Sequence, residues 1–250
     1  MFDNRSSRNE LDNDGRHCYA TGMNKYGQYC PTARAVEILG DRWTLLIVRD
    51  LLLGAQHFNE LERGLPGIPK ALLAQRLRRL QQVGVIERYG DSKERKTCYQ
   101  LTPAGQELFP VIESLTRWGA KWAFREPEPA ELDPVLLLWW MRNRVNRERL
   151  PLQRIVVEFN FREARSAKYW LVLSPKDVSV CLKHPGYEID ILVTTELAVL
   201  YQVWFGRIAF HDAIREQQVQ LDAAPALIRE FPKWFALSQA ASIVRAVAAT

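Results

Sequence analysis

The sequence lacks a long apolar run. Its longest uninterrupted one, Val135–Met141, has seven residues, against roughly 18–20 for a helix that crosses a bilayer. No membrane span or membrane partner is expected. The first residues, MFDNRSSRNELDND, contain no apolar core, so no secretory signal is expected and a cytoplasmic location is. Cysteine is sparse: Cys18, Cys30, Cys98 and Cys181 are scattered and form no CxxC pair. That spacing argues against a disulfide framework and against a zinc site. His17, His57, His184 and His211 stand apart, with no HExxH, GxSxG, GxxxxGK[ST] or GxGxxG signature. Asp212 beside His211 reads as solvated helix surface rather than half of a catalytic dyad. Neither an enzyme nor a metal or cofactor is expected.

What the chain does have is 250 residues, 47% hydrophobic and 25% charged, enough for two domains with real cores. Its net charge is +5, and residues 61–100 alone hold nine basic against four acidic residues. A cationic stripe confined to one segment is the footprint of a polyanion-binding surface, because neutralising phosphates releases counterions. The alternative is a solvated face that keeps the protein soluble.

Residues 1–25 are polar and read as a disordered tail. Pro31 then opens a helix, with Cys30 just before it, and Gly40 interrupts it. Asp41 is placed to cap a second helix over Arg42–Leu53, apolar on most sides. A short helix, His57–Arg63, leads through Gly64-Leu65-Pro66-Gly67-Ile68 into a longer one from Pro69 to about Val83. Short helix, Gly-containing turn, longer helix is the helix-turn-helix arrangement. On the longer helix, Leu73, Leu77 and Leu80 fall on one side. Ala71, Gln75, Arg78, Arg79 and Gln82 point the other way, with Lys70 and Ala74 on a flank, and that polar side carries no acid. Gln suits adenine and Arg suits guanine or phosphate, so Gln75, Arg78 and Arg79 are the expected base readers. Val85–Tyr89 and Thr97–Leu101 read as strands of a wing whose tip offers Lys93, Arg95 and Lys96 to phosphates. A final helix to Phe124, through Leu108, Ile112, Leu115, Trp118 and Trp122, either packs on its own domain or joins two copies.

These pieces together resemble a known family. Cys30-Pro31-Thr32-Ala33-Arg34, Gly40-Asp41-Arg42-Trp43-Thr44-Leu45-Leu46-Ile47, Phe58-Asn59-Glu60-Leu61, Leu65-Pro66-Gly67-Ile68, Leu77-Arg78-Arg79-Leu80 and Tyr99-Gln100-Leu101-Thr102-Pro103-Ala104-Gly105 occur in the order found in HxlR-type winged helix-turn-helix regulators. The resemblance covers residues 26–124. It implies a mainly α domain with a β wing, in a transcription regulator of the MarR-like group. It further implies a homodimer, through the Leu108–Phe124 helix and the N-terminal helix, on double-stranded DNA with a palindromic operator. Family members often carry a thiol where Cys30 stands, and some use it to sense oxidants or electrophiles. A thiol at a helix N-terminus has a lowered pKa; the plainer reading is a half-buried small apolar residue.

Residues 125–133 read as a linker with two prolines and nothing to bury. From Pro134 a helix precedes strands over Ile155–Phe161, Tyr169–Leu173, Val178–Leu182 and Glu188–Thr194, then more helices. Short turns suggest an antiparallel meander in an α+β domain, residues 134–250. Leu200, Trp204, Phe205, Ile208, Phe210, Phe231 and Trp234 either line a cavity or fill a solid core. Ile189–Thr195 followed by Val203-Trp204-Phe205-Gly206-Arg207-Ile208 resembles sterol carrier protein-like domains. That resemblance implies a hydrophobic small-molecule effector. A lipid carrier that uses the winged part only for docking is the alternative from another class.

Overall fold

The computed structural model describes residues 26–90, 97–163 and 167–248. The chain divides into two compact units, Met1–Glu113 and Ser114–Thr250. The stretch 1–25, with its tail reading, and the wing-tip residues Lys93, Arg95 and Lys96 lie outside the described residues.

In the first unit, α1 (Pro31–Leu39), α2 (Thr44–Leu52), α3 (Phe58–Gly64) and α4 (Lys70–Gln82) precede a hairpin of β1 (Ile86–Tyr89) and β2 (Cys98–Leu101). The core follows from the periodicity. Leu73, Leu77 and Leu80 of α4 are buried against Ile47 and Val48 of α2, Leu61 of α3, and Ile86 of β1. The hairpin is antiparallel, with Ile86 opposite Leu101 and Tyr89 opposite Cys98. Beyond it, Thr102 caps α5 (Pro103–Gln106) by accepting the Gly105 amide while its hydroxyl donates to the Gly84 carbonyl at 2.6 Å. α6 (Phe109–Trp122) starts in this unit, where Ile112 packs on the core, and it buries no residue fully.

Asp41 does not cap α2. The residue before that helix is Trp43, held in the left-handed region at φ 81° with no capping side chain. An aromatic there is strained by about 1–3 kcal/mol, and the Arg42 guanidinium lies 5.1 Å from its ring centre. The Asp41 carboxylate is engaged elsewhere, with arginines of α4.

The second unit takes in the end of α6, then α7 (Pro134–Asn143), β3 (Ile155–Phe161), β4 (Lys168–Leu173), β5 (Val178–Cys181), β6 (Ile191–Thr195), α8 (Leu197–Trp204), α9 (Phe210–Arg215), β7 (Val219–Ala223), α10 (Pro225–Glu230) and α11 (Ala241–Ala248). Asp133 caps α7 by accepting the Val135 and Leu136 amides. Next to it, Arg207 donates to the Glu126 carboxylate at 2.6 Å and to the Phe124 carbonyl at 2.7 Å.

The five strands run in the order β5-β4-β3-β6-β7. This corrects the expected antiparallel meander, because β6 lies parallel to β3, with Val157 opposite Ile191. The chain from β5 passes over residues 182–190 to the far side of β3 before β6 begins. Asp190 fixes that register, its amide donating to the Val156 carbonyl at 2.9 Å and its carboxylate accepting the Val156 amide at 2.7 Å. That contact also delays the strand from Glu188 to Ile191. Leu137, Phe159, Leu171, Val193, Leu200 and Phe231 form the core. Glu158 of β3 is 3% exposed. It accepts hydrogen bonds from Lys168 at 2.6 Å and the Trp170 indole at 3.0 Å, which compensate its burial.

A second buried acid is uncompensated. Asp50 of α2 takes Arg49 on one oxygen, while the other is buried without a partner where Gly64 has no side chain. Burial raises its carboxyl from 3.8 to about 6, against a smaller lowering by Arg49. The folded chain therefore holds this proton to a higher pH than the unfolded chain. The stability it contributes is full below about pH 4 and is lost as pH rises through about 6. Asp50→Asn should remove that loss, on the order of 3 kcal/mol, seen as a flatter stability profile than the parent's in urea titrations across this window.

Candidate nucleic-acid interface

The helix-turn-helix is α3, a turn through Gly67 at φ 86°, and α4 entered at Pro69. The Pro69-headed helix is anchored by its leucines, which decides what its other side offers. Lys70, Ala71, Gln75, Arg78 and Gln82 are exposed, and Ala74 is half-buried. Lys70 sits 3.3 Å from the Glu62 carboxylate, an exposed pair worth little. Arg78 has no partner among the described residues. Ala71, Gln75, Arg78 and Gln82 thus form an outward ridge with a short, flat start and an uncompensated cation.

Arg79 is placed differently from the sequence expectation. Its Nη2 donates to the Glu37 carbonyl at 2.9 Å, and its Nε lies 3.9 Å from the Asp41 carboxylate. Arg76 donates to the same carboxylate. The two arginines hold α4 to the α1–α2 joint and face away from the ridge. The sequence reading missed Arg76 and the role of Asp41. The available signal was rotational: Arg76 and Arg79 share one flank of α4, beside the leucines, whereas Gln75 and Arg78 straddle the opposite side. The expectation of an unpaired cationic face held only for acids on α4 itself.

The wing base is present as β1 and β2, with Arg88 donating to the Thr97 hydroxyl at 3.1 Å. At the other end of the unit, Cys30 is the residue before α1 and half-buried. The backbone amides of Ala33 and then Thr32 pull its thiol below the ordinary value. Cys98 and Cys181 are also free thiols.

These observations can be set beside known proteins. The HxlR-like helix-turn-helix family matches residues 38–127. The HTH-type transcriptional regulator YvaP of Bacillus subtilis is 35% identical over 108 residues, 42% of this chain and 96% of that protein. This chain belongs to the HxlR-like helix-turn-helix family. Rv3095, an HTH-type transcriptional regulator of Mycobacterium tuberculosis, is 44% identical over 98 residues, 38% of this chain. The chain spans 61% of the length of Rv3095. The reduced form of the regulator YodB from B. subtilis shows 32% identity over 38% of this chain and 94% of its own, with a TM-score of 0.34.

The HxlR-like match ends at residue 127, so the second unit stands on its own geometry. It contains a cavity of about 190 Å³ lined by Leu200, Val203, Trp204, Phe210 and Phe235, with Arg245 in its wall. Of the residues expected to line a cavity, Leu200, Trp204 and Phe210 do so. Phe205 and Ile208 are half-buried at the core's edge, and Phe205 meets Phe124 edge-on at 5.0 Å. Phe231 and Trp234 are solid core, 0% and 1% exposed, their rings 5.8 Å apart. They pack behind the cavity, because the turn they occupy closes against α9. No helix among the described residues is long and apolar enough to cross a membrane.

The two kinds of arginine on α4 separate in a stability measurement. Arg79→Ala should cost about 1–3 kcal/mol, since it strips a charged donor from the backbone carbonyl of the buried Glu37. Arg78→Ala should stay within about 0.5 kcal/mol of the parent, and denaturant midpoints check both.

Proposed function

We propose that this chain is a DNA-binding transcription regulator that reads a palindromic operator as a homodimer. In this reading its parts are a tail (1–25), the winged domain (26–124), a linker (125–133) and a sterol carrier-like ligand-binding domain (134–250). The observation that carries the reading is the outward ridge of α4. Gln75 and Arg78 stand there on a helix held firmly from behind, and nothing among the described residues neutralises Arg78. Gln75 and Arg78 read base edges, Ala71 lets the helix approach the groove wall, and Lys70, Lys93, Arg95 and Lys96 meet phosphates. Arg79 acts from behind, through the position of α4.

The dimer reading is supported by α6. Val111, Leu115, Trp118 and Trp122 recur at helical spacing and are exposed, Trp118 by 61% and Trp122 by 63%. An apolar stripe of this kind calls for a partner surface, and a second copy fits the two half-sites of a palindrome, spaced about one DNA turn apart. The cavity supports a hydrophobic small-molecule effector, which acts by binding one arrangement of the regulator better than another. The acidified Cys30 favours thiol sensing as a second input; faster alkylation of Cys30 than of Cys98 at neutral pH would mark it.

Selection of bound fragments from random DNA, followed by gel shifts, tests the reading. Gln75→Ala should relax preference at one base per half-site and leave the rest of the site intact. Arg95→Ala with Lys96→Ala should weaken all sequences alike and lower the salt slope by roughly one to two units. A chain that acts only as a carrier shows no salt-sensitive site preference at all. Leu115→Asp with Trp118→Asp should move the protein to monomer mass in sedimentation and abolish binding to the full palindrome. A parent chain already monomeric on DNA would remove the dimer.

A further inference from the structure

We propose that the cavity of the second unit binds a small organic monocarboxylate, its apolar body among Leu200, Val203, Trp204 and Phe235 and its carboxylate on Arg245. This proposal rests on the effector reading above and names the chemistry of that effector. The cavity's volume, about 190 Å³, is close to that of an engineered apolar cavity of about 150 Å³ that holds benzene. It suits a ring or short branched chain with one acid group, about ten non-hydrogen atoms, and not a sterol.

The walls are apolar except at one place. Met141, Ala209, Phe210, Pro232 and Leu237 complete the lining with no acidic side chain, and Arg245 is its one charged residue. The guanidinium is barely used by the protein. Its Nε makes a long 3.4 Å hydrogen bond to the Ala241 carbonyl, and its terminal nitrogens have no partner among the described residues. Arg245 is itself exposed, so it borders both the cavity and solvent, and its planar fork can hold a planar carboxylate by two parallel charge-assisted bonds. A phosphate would bring more charge than one arginine among apolar side chains balances.

The position of Arg245 is built into the backbone. Gly206, at φ 74°, follows α8 where a Cβ would stand 3.1 Å from Ala241 and 3.2 Å from Arg245 Nε. The missing side chain lets α11 close onto the α8–α9 turn and brings Arg245 to the cavity. The opposite wall is fixed by hydrogen bonds from the Ser238 amide to the Trp204 carbonyl at 3.1 Å and from Arg144 to the Leu237 carbonyl at 3.1 Å. The cavity is therefore preformed, which spares a ligand the cost of ordering its walls.

The test uses the full chain, with Trp204 fluorescence and calorimetry as readouts. The probes are sodium benzoate, phenylacetate and hexanoate, each compared with its primary amide. At least one acid should bind more tightly than its amide. Arg245→Gln should lower that acid's affinity at least about tenfold, as for loss of a charged hydrogen-bonded pair, and leave the amide's affinity in place. Retained amide binding also shows that the variant has kept its fold. Val203→Trp, which fills the cavity, should abolish both. If acids bind no better than amides, or Arg245→Gln is neutral toward the acids, the carboxylate proposal is overturned while the effector reading stands. If neither acids nor amides bind, both fall. The operator gel shift of the unliganded parent decides the DNA reading independently.

Discussion

The first unit depends on one carboxylate. Asp41 stands in the joint between α1 and α2 and receives Arg76 and Arg79 of α4, thirty-five or more residues later in the chain. The leucines of α4 fix which side is buried, but a leucine contact is non-directional and tolerates some rotation about the helix axis. Two charged hydrogen-bonding groups on one flank are directional. With Arg79 also tied to the Glu37 carbonyl, they set the angle at which Gln75 and Arg78 face outward. Asp41 therefore orients the exposed ridge of α4 without lying on it.

The second unit has its own single pin, of a different kind. A parallel β3–β6 pair needs the chain to travel from the far edge of the sheet to the other side of β3 and stop in register. Asp190 ends that travel by bonding both polar backbone atoms of Val156. A one-residue slip there would turn Ile191 and Val193 out of the core. On the neighbouring strands the buried Glu158 is satisfied by Lys168 and Trp170.

Local features were legible in the sequence, and features that needed a distant partner were not. The spacing of Leu73, Leu77 and Leu80, with Gly67 and Pro69 ahead of them, located α3, the turn and α4. Asp41 looked like a helix cap because Asp commonly is one. Its real partners belong to another helix, and the φ of Trp43 displaced the helix start. Arg79 shared its composition with Arg78 but not its surroundings. Short turns between apolar runs suggested a meander, since nothing local distinguishes a hairpin from the first part of a crossover. The group Leu200, Trp204, Phe210, Phe231 and Trp234 could be recognised as one apolar set, but which members border empty space depends on how the helices close. Arg245 gave no local sign of facing them.

The clamp on α4 also changes what the basic composition means. Residues 61–100 carry nine cations, and a count of that kind suggests an interface driven by ion release. Arg76 and Arg79 share the single Asp41 carboxylate, however, so two of those cations are engaged within the protein and the charge left for an outside anion is smaller than the composition implies.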